Sequence, residues 1–132
     1  NIEHSTESMV SGVKTFVIKN KEEFSKLLNQ ESKLVEDVLK LLKENNSEEL
    51  GEKINQNQKY LETIGISNNQ LRKMIEIGQK TSFGAKITGS GGGGCIFALT
   101  NESNVKQTLK EFKDKNFECF SAEIDFKGLD TF

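Results

Sequence analysis

Histidine occurs once in this 132-residue chain, at His4 near its start, so zinc sites and histidine-based triads have no support. Cysteine occurs twice, at Cys95 and Cys119, each inside an apolar run with no cluster of ligands around it. Both read as small buried hydrophobes in a reducing compartment, and nothing supports a redox pair. No apolar run approaches the roughly 18 residues needed to span a bilayer, and no signal-peptide pattern opens the chain. Neither sign of charge dominates, with 18 Lys and Arg against 20 Asp and Glu. The net charge is −2 and the sequence pI about 5.6. That excludes nucleic acid and an anionic membrane surface as partners. Proline is absent altogether, and neither a linker nor an internal repeat divides the chain. These absences point to a cytoplasmic protein with no metal ligands of its own.

What remains suits one domain. A chain of 132 residues can bury one core but not two. At 34% hydrophobic and 29% charged it reads as globular with a heavily charged surface. It opens on Asn1 rather than Met, as a piece of a longer product would.

Glycine is plentiful, and it is concentrated. In residues 83–100, FGAKITGSGGGGCIFALT, every position from 89 to 94 is glycine except Ser90. Each glycine costs backbone entropy and packs no side chain. Flexible linkers are written with the same letters, but their flanks are polar and indifferent. Here the flanks are runs of β-formers that abut the glycines directly, so a slack linker would pull a sheet apart. The alternative is a close backbone approach, with successive N–H groups forming a concave nest for an anion such as phosphate. Two named phosphate loops are excluded. A Walker A loop needs Lys and then Ser or Thr after its last glycine, where Cys95 stands. The dinucleotide fingerprint needs a helix after the glycines, where an apolar β-like run stands.

Periodicity places the remaining elements. Met9, Val13, Phe16 and Val17 predict a helix over residues 5–18, with Ser5 or Thr6 as its N-cap. Phe24, Leu27, Leu28, Leu34, Val35, Val38, Leu39 and Leu42 form a broad apolar stripe over residues 22–42, with room for one break near 29–31. Asn45, Asn46 and Ser47 stop that helix and cap the next, which carries Leu50, Ile54, Leu61 and Ile64 up to Gly65. Ser67 with Gln70 reads as a capping box for a short helix bearing Leu71, Met74 and Ile75, with Gly78 near its end. Strands are expected over 85–88, 95–100 and 117–124, with a helix over 103–115 and an unassigned tail over 126–132. Helices first and strands after argue for an α+β fold, helices covering one face of a mostly antiparallel sheet.

The stretch GAKITGSGGGGCIFAL resembles the third, C-terminal glycine-rich motif of the galactokinase, homoserine kinase, mevalonate kinase and phosphomevalonate kinase superfamily. Within it, Gly-Ala-Lys, an aliphatic residue, Thr, Gly, a small residue, four glycines and Cys looks most like the mevalonate kinases. STESMVSGV at 5–13 is similar to the helix start that opens their C-terminal domain, and NQNQKYLETIGISNNQLRKMIEIGQ resembles the helix pair before the motif. The resemblance covers nearly the whole chain, and its specificity lies in the glycine motif.

The resemblance implies a two-domain kinase, with residues 1–132 as its single C-terminal, ferredoxin-like domain and an N-terminal ATP-binding domain as partner. Family members are more than twice this length. Their N-terminal half carries a proline-led phosphate loop together with an Asp and a Lys near the transferred phosphate, and this chain has none of these. No catalytic residue is therefore expected here. The implied reaction is ATP-dependent phosphorylation of the mevalonate 5-hydroxyl in isoprenoid synthesis. ATP and Mg2+ would serve the intact enzyme, with none held tightly by this piece.

Thr88, Gly89, Ser90, Gly91, Gly92, Gly93 and Gly94 match motif positions that lie beside phosphates and acceptor in the family. Lys86 matches the motif lysine or is a solvated strand residue. Thr6 matches a Thr on the substrate side or is an ordinary N-cap. A related small-molecule kinase, such as a phosphomevalonate or homoserine kinase, is the near alternative. A non-catalytic anion-binding or regulatory module of the same fold is the distant one. In the family a strand precedes the Ser/Thr-rich helix. Without it, a sheet edge near Ile96 and Phe97 or Phe117 and Phe120 would lie open, and the isolated piece is expected to self-associate or to lose stability.

Overall fold

In the computed structural model, which describes residues 6–124, four helices lead into a two-stranded sheet and a fifth helix. They are α1 Thr6–Lys19, α2 Lys21–Glu44, α3 Ser47–Thr63 and α4 Asn69–Thr81; then β1 Gly84–Ile87, β2 Ile96–Leu99 and α5 Val105–Asp114. The α+β arrangement expected from the sequence is observed. None of these helices is long and apolar enough to cross a membrane.

The α2–α3 turn is built by asparagines. Asn45 takes the left-handed conformation at φ 53° and returns its N–H to Leu41. Asn46 then caps α3: its side chain accepts the Glu49 N–H at 3.1 Å and donates back to the Glu49 carboxylate at 2.9 Å. The two helices run side by side, tied by Asn57 donating to Glu31 at 2.7 Å and Lys53 donating to Asp37 at 2.7 Å. The Lys53 bond holds the Asp37 carboxyl below its ordinary range and the ammonium above its own. A carboxylate depressed in the fold contributes above its unfolded pKa, and that contribution is lost as pH falls through the depressed value.

β1 and β2 pair antiparallel, with Gly84 opposite Leu99, Ala85 opposite Ala98, Lys86 opposite Phe97 and Ile87 opposite Ile96. Alternation sends Ala85 and Ile87 towards the helices, where they meet Leu71 and Ile75 in a core flanked by Leu61, Met74, Ile96 and Ala98. Lys86 and Phe97 take the other face, the Lys86 ammonium 5.9 Å from the centre of the Phe97 ring.

The outer edge of β1 is closed by helix α3 rather than by a strand. Asn55 accepts the Ala85 N–H at 3.0 Å, and Gln58 accepts the Ile87 N–H at 2.9 Å while donating to Glu62 at 2.9 Å. Gln58 is only 1% exposed, so its amide replaces water for a buried backbone donor. Replacing it with Leu keeps the volume and strands that donor. Gln58→Leu is expected to cost about 1–3 kcal/mol, read as a lower urea midpoint with unchanged slope. An unchanged midpoint would mean that the Ile87 N–H finds another acceptor.

Backbones also meet without side chains between them. A Cβ on Gly51 of α3 would collide with the Phe83 carbonyl, and a Cβ on Gly84 with the backbone of Gly51. A Cβ on Gly78 of α4 would lie 2.5 Å from that of Ala85. These contacts set the sheet directly on α3 and α4.

Several sequence expectations are corrected. Residues 117–124 form no strand. Alternation says which way side chains point, not where a ladder partner is, and the edge of β1 away from β2 is taken by α3. Phe117 instead folds back on α5, its N–H on the Phe112 carbonyl at 3.0 Å and its ring edge-on to Phe112, while Phe120 is 87% exposed. Helix α2 runs unbroken through 29–31, where Glu31 already bonds α3. Its apolar stripe is only partly used: Leu34 and Leu41 are buried, but Leu28, Val35, Leu39 and Leu42 stay about half exposed. Helix α4 is capped by Asn68 rather than Ser67. Asn68 is extended and its side chain accepts the Leu71 N–H at 2.9 Å, whereas the Ser67 hydroxyl is shielded and has no partner among the described residues. Both cysteines are free; Cys95 is exposed, not buried, because it leaves the glycine loop before β2 begins. Cys119 is half-buried with its sulfur 3.5 Å from the Leu109 carbonyl. The tail over 126–132 and Ser5, the other candidate cap of α1, lie outside the described residues.

Candidate functional site

Residues 88–95 connect β1 to β2, and the Thr88 N–H on the Cys95 carbonyl at 3.0 Å closes the base of this loop. Gly89, Gly91 and Gly92 adopt φ values of 73°, 77° and 73°, a region that side-chain-bearing residues rarely enter. Gly93 and Gly94 are not among the left-handed glycines, so the run of four does two different jobs.

Gly91 and Gly92 are buried against the turn between α3 and α4, while Thr88, Gly89, Ser90, Gly93 and Gly94 are exposed. At Gly91 a Cβ would strike the Ile66 carbonyl oxygen, so the loop passes the turn at a distance that only glycine permits. The Gly92 N–H donates to that same Ile66 carbonyl at 2.9 Å. From the other side, the Asn68 amide donates to the Gly92 carbonyl at 2.6 Å. The turn itself relies on Gly65 at φ 84°.

The loop is therefore a fixed object with one side pinned and the other presented. The Gly93 and Gly94 N–H groups take no partner among the described residues. Residues 87–101 carry no charged side chain, so an anion brought to these N–H groups meets no fixed negative charge within the loop. Beside Gly89 and Ser90 opens an apolar cavity of about 480 Å³ between the loop and α1, walled by Val13, Val17, Ile64 and Ile66 among others. Chemically the loop offers hydrogen-bond donors and a close surface, with no carboxylate, amine or imidazole of its own.

The expected site residues divide accordingly. Thr88 to Gly94 come together as the loop. Lys86 does not join it: its ammonium lies over Phe97 on the sheet face turned away from the helix core, half-buried. Thr6 is the first residue of α1, exposed, and not among the residues that wall the cavity. Sequence reasoning missed both partners that hold the loop. The Ile66 carbonyl is a backbone atom and leaves no trace in the residue type. Asn68 could have been found, because Asn is as good an N-cap as Ser and also carries a donor.

Known proteins resemble this chain over a span that contains the loop. A family model described as GHMP kinases C terminal matches residues 38–119, a span that includes the whole loop and both of its partners. The mevalonate kinase of Methanocaldococcus jannaschii is 36% identical over 76 residues, covering 58% of this chain and 24% of that protein. The mevalonate kinase of Candida albicans is 38% identical over 81 residues, 58% of this chain and 19% of its own. Among solved structures, L. major mevalonate kinase in complex with R-mevalonate superposes with a TM-score of 0.80 at 22% identity, over 86% of this chain and 36% of that one. The Methanococcus jannaschii enzyme gives 0.74 at 31% identity, over 86% and 33%. The chain thus spans about a quarter or less of these two curated relatives and about a third of these structures.

Proposed function

The chain belongs to the GHMP kinases C terminal family, and from that premise we propose that it is the C-terminal domain of an ATP-dependent mevalonate kinase. Its contribution is the glycine wall of the active site. The observation that carries this reading is the loop of residues 88–95: three left-handed glycines, one side locked to the α3–α4 turn, and on the other two N–H groups without a partner among the described residues.

Phosphoryl transfer requires positioning and electrostatic stabilisation more than covalent chemistry from the protein. ATP, when bound, supplies the phosphoryl group. The chain's own residues fit the anionic part of such a ligand: Gly93 and Gly94 offer N–H dipoles, and no carboxylate lies in the loop to repel it. The lack of side chains lets this wall close on phosphates and a small hydroxy acid without collision. Residues 87–101 contain no carboxylate for Mg2+, so its ligands, and the acid–base groups, are assigned to an N-terminal ATP-binding domain.

Two assays test the reading. The longer protein that carries this domain is expected to phosphorylate mevalonate with ATP in preference to phosphomevalonate and homoserine. The 132-residue chain alone is expected to show no turnover. Turnover by the chain alone would refute the division of labour. Preference for another alcohol would reassign the substrate, and anion binding without any transfer by the longer protein would favour a regulatory module.

A further inference from the structure

Asn68 holds two partners with one amide. Its Oδ1 accepts the Leu71 N–H at 2.9 Å, capping α4, and its Nδ2 donates to the Gly92 carbonyl at 2.6 Å. These partners fix the amide's orientation, because only the oxygen can accept from an N–H and only the nitrogen can donate to a carbonyl. Two residues earlier, the Ile66 carbonyl takes the Gly92 N–H at 2.9 Å. Both peptide planes that meet at Gly92 are therefore gripped by one turn.

The second plane has a consequence for the loop's exposed side. In a trans peptide the carbonyl of one residue and the N–H of the next lie in one plane and point in opposite directions. No peptide bond among the described residues is cis. With the Gly92 carbonyl drawn onto Asn68, the Gly93 N–H is turned away from Asn68. Gly93 is exposed, and that N–H has no partner among the described residues. Without the Asn68 bond, this plane would be free to rotate about the torsions of two glycines, which have the widest choice of conformations of any residue.

We propose that Asn68 is a positioning residue: through the Gly92 carbonyl it aims the Gly93 N–H outward, towards the phosphate side of the loop. Its importance for catalysis rests on the kinase reading above, whereas the clamp itself does not.

Asn68→Asp separates the two roles. Aspartate is as good an N-cap, and its charge suits a helix N-terminus, but it cannot donate to the Gly92 carbonyl. Asn68→Ser keeps a cap, adds no charge and is too short to reach Gly92, so it stands in should the carboxylate disturb folding. In either variant of the chain the melting temperature is expected to stay close to the wild-type value. Hydrogen exchange at the Gly92 amide, whose own bond to the Ile66 carbonyl holds only while the loop stays seated, should nevertheless accelerate about fivefold as the neighbouring restraint is lost. In the full-length protein, kcat/KM should fall about tenfold.

Wild-type exchange at Gly92 in both variants would overturn the clamp. Faster exchange with unchanged kcat/KM would overturn the positioning role. A full-length wild-type protein that transfers no phosphoryl group would count against the kinase reading alone, and the exchange rates would still decide the clamp.

Discussion

Gly91→Val in the full-length protein is expected to lower kcat/KM by about a hundredfold or more, the penalty typical of misplacing a catalytic surface by about an ångström. Two independent effects combine at this position. The φ of 77° is closed to a β-branched residue, and a Cβ there would overlap the Ile66 carbonyl oxygen. Neither can be relieved locally, because Ile66 is backbone and is itself bonded to the Gly92 N–H. The loop must lift off the turn, which breaks the Ile66 and Asn68 contacts together. Gly92→Val shares the left-handed strain, at φ 73°. Gly93→Ala is the contrasting variant: exposed and outside the left-handed set, it should keep the wild-type melting temperature and lower kcat/KM only through the methyl group it adds to the presented wall. Steady-state kinetics and melting curves on Gly91→Val, Gly92→Val and Gly93→Ala would separate the glycines that seat the loop from the one that only faces the ligand. Equal, near-wild-type rates for all three would reduce the loop to a connector.

The largest expected loss of stability is at Gly51. Helix α3 rests there on the backbone of residues 83 and 84, and even a methyl group would intrude on the Phe83 carbonyl. Gly51→Leu must push α3 away from the start of β1. That move also removes Asn55 and Gln58 from the Ala85 and Ile87 N–H groups. Overpacking a tight site costs about 1–3 kcal/mol, and two stranded backbone donors add to it. The sum is expected to reach about 3 kcal/mol or more, a fall in melting temperature on the order of 10 °C for a domain of this size. Gly12→Ala in α1 is the matched control, since nothing lies within 4 Å of its Cβ. That substitution should be neutral or stabilising by up to about 1 kcal/mol, as for any open helical glycine. A melting curve for Gly51→Leu that overlays the wild type would show that α3 and the sheet are not in direct contact.

Much of the fold could be read from periodicity and caps. Leu71, Met74 and Ile75 announced α4, and the Asn45–Asn46 pair announced the α2–α3 turn. The failures share a cause. The alternation at 117–124 carries a facing preference without a pairing partner, and a strand exists only through its pairing. The α2 stripe signals apolar surface that wants cover, but among the described residues much of it has none, so Val35 and Leu39 are exposed despite their spacing. Ser67 lost the cap to its neighbour because two adjacent residues were both competent. At the site, the glycines were legible as a close backbone approach because a run so dense has few other uses. Which of them are left-handed was not, since φ depends on where the loop is held. It is held by the Ile66 carbonyl and the Asn68 amide in a turn far earlier in the chain, and a backbone carbonyl is invisible in one-letter code.

The helix-borne edge of β1 also constrains the order in which this chain can assemble. A tight two-residue turn holds its strands in register, whereas residues 88–95 close a longer, glycine-rich loop that costs more conformational entropy to order. The two strands then gain few ladder bonds, and the Ala85 and Ile87 N–H groups remain unsatisfied until Asn55 and Gln58 arrive. Helices α3 and α4, though joined by a short turn, each pack against β1 more than against one another, so neither offers a finished surface before the strand arrives. Strand β1 and the helices on either side of it are thus expected to settle together, as one cooperative unit, with the loop seated by the same event.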